Sequence, residues 1–492
     1  MTASARILDH FSKANGSEPI RILGASGQLG YGVPTPAFSA GLERKPHLIG
    51  CDMGSIDIGP YYLGSGELAT APAATRRDLR KVLLGALKLK IPLIIGSAGS
   101  AGARPHLEQT LAIMRDIARE ESLGFRMGVL RADIERTVLK EALRLNGVAP
   151  IDGMSTLDAI EVDAATNIVG QMGMSAFQRA LAAGVDVVVA GRACDTAIFA
   201  ALPAAAGFPI GPAQHMAKII ECASLCCVPG GRDSILATLD QEGFELESMA
   251  PQRRATPVSV AAHSLYEQSD PFTVQEPEGR LDLARATYHA LDDRRTRVVG
   301  AVWEKAREPW VKIEGARHVG ERAILLCGTA DPGFIVHHEQ LLKEVERVVH
   351  DLVCEDAAED YVLTWRVYGV NGVRMTPVTQ NTPLGEAFIL GECIAPTRAR
   401  AAEVVRTTKQ YLLHHGYEGG CLQPGISPFR SRRRKSRLGP FTVSMSIISC
   451  AQVTLTRCFH LKSRQCSASP RLDYSPSTSL ADGMRYAFPR HH

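Results

Sequence analysis

Aromatic residues are scarce, 6% of 492 residues with only three tryptophans, and neither sign of charge dominates. The formal net charge is +3, with both signs interspersed, so no whole-chain field points to nucleic acid or to a membrane surface. No apolar run is long enough to cross a bilayer. Met1 to Glu18 carries Arg6, Asp9, His10 and Lys13, which argues against a secretory leader and makes the cytoplasm the expected location. No Cys/His spacing matches a structural zinc site. The adjacent pairs His337-His338 and His414-His415 cannot both face one metal from a helix, so no metal ligands are assigned. There is no Gly-x-Ser-x-Gly elbow, which removes the commonest hydrolase signature. The twelve cysteines are scattered, several in apolar runs such as Cys222, Cys226 and Cys227. That suits reduced thiols better than a disulfide framework.

What is present is a long alternation of short apolar runs and amphipathic stretches. Hydrophobic residues make up 45% of the chain, ample for a sizeable core. Ile20–Leu23, His47–Gly50, Ile91–Ile95 and Val185–Ala190 each run into a glycine-rich turn, and Phe125–Leu130 reads as a further strand. Arg76–Leu87, Pro105–Glu121 and Ile168–Ala183 read as helices. Strand, glycine turn, helix, repeated, predicts an α/β fold with a Rossmann-like parallel or mixed sheet. The stretch from Ser234 to Asp293 is less regular, and Val298–Val302 reads as a strand. Then Arg322–Cys327, a helix at Glu339–Asp351, strands at Tyr361–Tyr368 and Ala387–Cys393, and a helix at Thr397–His415 predict a smaller α+β lobe. The expected division is an extension at 1–19, a main lobe at 20–280, a smaller lobe at 281–420 and a tail at 421–492.

In such sheets ligands bind beyond the carboxyl ends of the strands. Four polar turns fall there: Gly24 to Gly30, Asp52 to Gly59, Gly96 to Gly102 and Gly191 to Asp195. Gly24, Gly27, Gly96 and Gly99 would let backbone amides approach a ligand. The first turn tempts a nicotinamide reading. Against it, Asp52 and Asp57 lie beyond the distance for a ribose-binding acid, no Tyr-x-x-x-Lys pair occurs, and Pro34 and Pro36 delay any helix. The cofactor therefore stays open.

Asp52 is a candidate acid or base, as is His106, which follows Gly-Ala-Arg-Pro at a predicted helix start. Arg192 and Asp195 follow a valine strand, and an arginine there suits a carboxylate or phosphate. His215 is read as opening an apolar helix with Lys218 and Glu221 on its face. Arg253, Arg254, Thr256, Ser259, His263 and Tyr266 form a dense polar set. If Pro257–Ala262 is extended, Ser259 and His263 share a face, and His263 becomes a third acid–base candidate. Ordinary turn chemistry, capping or core packing accounts for any one of these alone.

Together, several stretches resemble the acyclic terpene utilisation (AtuA) family. They are Gly24-Ala-Ser-Gly-Gln-Leu-Gly30, Ile49-Gly-Cys-Asp-Met-Gly-Ser55, Gly59-Pro-Tyr-Tyr-Leu-Gly-Ser-Gly66 and Ile168-Val-Gly-Gln-Met-Gly173, then Gly191-Arg-Ala-Cys-Asp-Thr-Ala197, His215-Met-Ala-Lys218, Thr256 to His263 and Arg366-Val-Tyr-Gly369. The resemblance runs from about residue 20 to 420. It implies a role in catabolism of acyclic terpenes and related branched acids through coenzyme A thioesters, with no fixed reaction. Implied partners are a small-molecule substrate, and an acyl-CoA carboxylase or a second copy of the chain. The alternatives are a nicotinamide oxidoreductase and a non-catalytic carboxylase subunit.

Beyond Gly416-Tyr-Glu-Gly419 the resemblance stops. Family members run on through a Phe-Pro-Phe segment to a strand containing Tyr-His. Permitted codons for Leu422 to Ile448, read one base earlier, can spell such a continuation. The reading is a frame slip near Gly419–Cys421, leaving a largely disordered tail and a copy that has lost activity. Sequencing the transcript there tests it, and an unbroken frame matching this chain would sink it.

Overall fold

The computed structural model describes residues 1–151, 154–265, 270–354, 360–373, 386–414, 416, 448–462 and 478–479. The junction expected at Gly419–Cys421 lies outside them, as does Tyr266. Within the expected tail the described residues are two strands, Ile448–Lys462 and Thr478–Ser479. The chain divides into two compact units, one of Met1–Arg317 with Thr456–His492 and one of His318–Leu455.

The first unit is built on one large mixed sheet, as the strand–turn–helix pattern predicts. Its main strands are β1 (Ile20–Gly24), β2 (Leu48–Asp52), β3 (Leu93–Gly96), β4 (Met127–Arg131), β5 (Val187–Ala190), β6 (Ile235–Leu239), β7 (Gly243–Ser248), β8 (Thr287–Ala290) and β9 (Arg295–Val299). They lie in the order β8-β9-β7-β6-β1-β2-β3-β5-β4. The half from β1 to β4 is parallel. The half from β6 to β8 is antiparallel. Thr478–Ser479 adds to β4 at the edge.

Helices explain why the central parallel strands are so apolar. Every residue of β2, β3 and β5 is buried, because helices cover both faces. Helix Pro72–Leu89 buries Thr75, Asp78, Leu79, Val82, Leu83 and Ala86, a single stripe at helical spacing. Helix Arg104–Glu120 buries His106, Leu107, Thr110, Leu111, Met114 and Ile117 in the same way. Helix Asp195–Ala205 is apolar on nearly all sides and packs so close that a Cβ at Gly50 would lie 2.4 Å from the Phe199 ring. Each fully buried Phe, Leu, Ile or Val contributes about 1.5–3 kcal/mol. Among the described residues no helix is long and apolar enough to cross a membrane.

Several local expectations need correction. Ile168 does not begin a helix: Asn167–Gly170 is a strand, and the helix starts at Met174. Glycines at 170 and 173 separate the two. Pro257–Ser264 is a helix, not an extended run. Thr256 caps it in a reciprocal box with Ser259, a local signal that outweighs the alternation of Val258 and Val260. His215 lies in the middle of helix Ile210–Ile220, which starts five residues earlier with Pro212 in its first turn. The apparently irregular stretch from Ser234 holds β6, β7 and the hairpin Thr273–Glu276 with Gly279–Asp282.

In the second unit, the strand that begins at Trp310 continues to Thr329 and pairs antiparallel with Ala387–Ala395, which pairs in turn with Val362–Tyr368. Helices Pro332–Val353 and Arg398–His414 supply half of its core, including Phe334, Leu341, Val345, Val404 and Val405, and the strands supply the rest. The order matches the β-α-β-β-α reading.

Candidate functional site

The four glycine turns converge, and backbone hydrogen bonds lace them together. Leu29 N donates to Asp52 O at 2.9 Å, Met53 N to Gly96 O at 3.2 Å, Ser97 N to Gly191 O at 3.1 Å and Arg192 N to Gly102 O at 3.1 Å. Glycine is required at the closest approach: Gly102 has φ +70°, and a Cβ there would lie 2.1 Å from Arg192 N.

The first turn spends its amides internally. Gly30 N and Gly32 N donate to Asp78 Oδ2 at 2.9 and 2.8 Å, and Ala25 N donates to Gly50 O. A Cβ at Gly24 or Gly27 would meet the carbonyls of Ile220 and Cys222, so these glycines admit backbone, not ligand. The donors a pyrophosphate would need at Gly30 and Gly32 are already held by a fully buried carboxylate.

At the ends of β2, β3 and β5 lies a buried cluster of charge. Arg192 is 3% exposed and Glu314 is fully buried. Arg192 Nε donates to Glu314 Oε2 at 2.8 Å, and Nη1 donates to Gly54 O and Ser97 Oγ, each at 3.3 Å. Lys312 Nζ lies 2.9 Å from Glu314 Oε1. Burial pushes the Glu314 carboxyl up, but Arg192 and Lys312 outweigh it and hold it below its ordinary range. Arg192 stays charged, because Glu314 and Asp195 outweigh burial. The arginine expected to anchor an external anion is thus engaged with an internal one.

Asp52 closes β2. Its Oδ2 accepts from Gly54 N at 2.6 Å, while its buried Oδ1 has no hydrogen-bond partner. Burial, then the Asp195 charge, drives its pKa well above the usual carboxylate range, opposed by Arg192. A Cβ at Gly96 would lie 2.3 Å from Ile198 Cδ1, so the bare glycine admits that side chain beside Asp52. Asp57 is exposed and binds the Ser55 hydroxyl, so the two acids of this turn do not act as a pair. Cys51 behaves as a buried apolar residue, its thiol pKa pushed up by burial and then by Asp52.

Asp195 opens the next helix and links this group to a second one. Lys218 pairs with Glu221, both about 5% exposed. Burial lowers the Lys218 pKa, but Glu221 more than compensates and keeps it charged. Burial lifts Glu221 to about 8, against Lys218 and with help from Asp195. Burial likewise lifts Glu276 to about 7, although its carboxylate accepts from Thr196 Oγ1 at 2.6 Å. His263, 6% exposed, drops to about 4 through burial and then the Lys218 charge, so its imidazole is neutral at pH 7.

Two expected residues stand apart. His106 is fully buried behind the third turn, where a Cβ at Gly99 would meet its side chain at 2.8 Å. Its Nε2 donates to Tyr62 O at 2.8 Å, which fixes the tautomer, and burial lowers its pKa. His215 lies with Nε2 3.0 Å from Ser264 Oγ and packs edge-on against Phe244 and Tyr288. Burial takes its pKa to about 3, the behaviour of a core histidine. Sequence reasoning missed Glu314, Glu276 and Asp78 as members or supports of the site. Glu314 follows buried Ile313 in a strand, so alternation gives no hint that both are inside. Among the described residues no group of three or more His, Cys, Asp or Glu is placed to hold a metal.

No curated protein and no solved structure matches the chain. Residues 73–234 match the family model described as acyclic terpene utilisation family protein AtuA, a segment that includes the motifs at Ile168–Gly173, Gly191–Ala197 and His215–Lys218.

Proposed function

We propose that the protein is an enzyme of acyclic terpenoid or branched-acid catabolism that moves a proton on a carboxylic acid or its coenzyme A thioester. The observation that carries this reading is Asp52: a buried carboxyl with one unpartnered oxygen, its pKa raised by burial and by Asp195. Such pairs of carboxyls split acid and base roles near neutral pH. Asp52 acts as the proton-transfer group and Asp195 tunes it. Arg192, held by Glu314, stabilises negative charge nearby instead of taking the substrate's anion. His263, neutral beside Lys218, is the remaining acid–base candidate on this side. The nicotinamide alternative loses support because Asp78 occupies amides of the first glycine turn.

The test is a thermal-shift panel with coenzyme A thioesters of branched acids, the free acids, NAD(P) and divalent metals. A ligand at a hundred times its dissociation constant adds about 2.7 kcal/mol of stability. A shift with acyl compounds, followed by exchange of their acidic C–H protons in deuterated water that Asp52→Asn abolishes, is the expected result. A shift with NAD(P) alone sinks it in favour of an oxidoreductase. No shift, with co-purification of a carboxylase, sinks it in favour of a non-catalytic subunit.

A further inference from the structure

Cys226 and Cys227 are neighbours in the chain, at the end of the short helix Ala223–Cys226. Both side chains are buried, and their sulfurs lie 4.0 Å apart, in contact. The flanking residues Leu225 and Val228 are exposed, so the two sulfurs lie just beneath the surface. The acid–base site uses neither thiol.

Two cations face this loop. Arg253 lays its guanidinium against it: Nη1 donates to Pro229 O and Gly230 O at 2.8 and 2.7 Å, and Nε pairs with Asp233. Arg294 Nη2 donates to Ser248 O at 2.9 Å, and the Ser248 hydroxyl meets that of Ser224 at 2.7 Å. A hydrogen bond from Cys226 holds the Cys227 thiol below its ordinary pKa, against burial and with help from Ser224, Arg253 and Arg294. Burial pushes the thiols of Cys51, Cys194, Cys327 and Cys393 the other way.

We propose that Cys226 and Cys227 form a modification site, a vicinal dithiol that hydrogen peroxide closes to a disulfide. The Cys227 thiolate attacks one peroxide oxygen and breaks the O–O bond. This leaves a sulfenic acid and a hydroxide that takes up the proton Cys227 gave away. The Cys226 sulfur then attacks the Cys227 sulfur. The S–S bond forms, the S–O bond breaks, and hydroxide departs as water with the Cys226 proton. Two thiols are oxidised and one peroxide becomes two waters. Adjacent Cα atoms stand about 3.8 Å apart, closer than the roughly 4.4–6.8 Å that relaxed disulfides span. The bridge is therefore strained and easily reduced, so the open pair is the resting state and a dithiol reductant restores it.

The experiment treats the folded full chain at neutral pH with a small excess of hydrogen peroxide. The peroxide is then removed, the remaining thiols are alkylated in urea, and tryptic peptides are sequenced by mass spectrometry. Peptide 219–232 contains Cys222, Cys226 and Cys227. It should lose two hydrogens and carry an alkyl group on Cys222 alone, and it should regain all three alkyl groups when dithiothreitol precedes alkylation. Cys222→Ser should still close the bridge, and Cys226→Ser should stop at a sulfenic acid on Cys227, which dimedone traps. Full alkylation of both thiols after peroxide overturns the proposal. So does a bridge from Cys222, a sulfinic acid on Cys227 with Cys226 still free, or a bridge that forms only when peroxide is added to the unfolded chain.

Discussion

Replacing Arg192 with methionine should be among the most damaging single changes in the chain. The guanidinium is 3% exposed and its partner Glu314 is fully buried. Removing one member of such a pair strands the other charge and costs about 3–5 kcal/mol. Two features place the expected loss near the lower end. Lys312 remains 2.9 Å from Glu314, and of the Arg192 contacts only the one at 2.8 Å is short. At about 2.1 cal/mol/K per residue over roughly 300 residues, ~3 kcal/mol lowers Tm by about 5 °C. The double variant Arg192→Met with Glu314→Met removes both charges, and should recover at least ~1 kcal/mol relative to the sum of the single losses. Urea unfolding of the four proteins measures this cycle. A loss below ~1 kcal/mol for Arg192→Met, or strictly additive single losses, would refute the argument that a coupled buried pair holds the turns.

Other perturbations follow from the same geometry. Glu221 and Glu276 have folded pKa values near 8 and 7, raised above the unfolded value of about 4.5, so the folded state holds their protons more tightly. Their stabilising effect is full below the unfolded pKa and fades as pH rises through the folded one. The depressed histidines His215 and His263 work in the opposite direction, but only below about pH 6.5. Tm should therefore fall between about pH 6.5 and 8, and Glu221→Gln should flatten that slope; a rising wild-type Tm over this window contradicts the assignment. Asp78→Ala should cost about 1.5–3 kcal/mol by freeing the amides of Gly30 and Gly32, read by urea unfolding, and a neutral result would mean the turn holds itself. Gly102→Ala forces a side chain into a left-handed backbone and against Arg192 N, so it should lower Tm at least as much as Arg192→Met does.

The parallel half of the sheet was legible because its chemistry is local. Val187-Val-Val-Ala190 can only be a strand covered on both faces, and each glycine turn announces the strand end that precedes it. The antiparallel half was not, since β6 and β7 carry Thr238, Glu245 and Glu247 among their apolar residues, although Asp240 and Gly243 do mark the turn between them, where Asp240 Oδ1 accepts from Glu242 N and Gly243 N. Of the site, Asp52, Arg192 and Asp195 came from position alone, at strand ends. Glu314 and Asp78 could not, because each is a charged residue inside an element, where its burial depends on a partner far away in sequence. The helix at Pro257–Ser264 shows the limit of periodicity over eight residues, where one capping box decides the outcome.

The lacing of the glycine turns bears on how the protein breathes. Ligand sites commonly occupy the least protected parts of a fold, where amides exchange with solvent through small local openings. Here the amides of Leu29, Met53, Ser97 and Arg192 each hydrogen-bond to a neighbouring turn, and Ser97 N and Arg192 N close onto buried backbone. Opening any one turn disturbs the next. These amides should therefore exchange only when the whole parallel sheet opens, on the timescale of global unfolding, so the candidate site sits on the most slowly exchanging floor of the molecule and any motion that admits a ligand has to come from the walls around it.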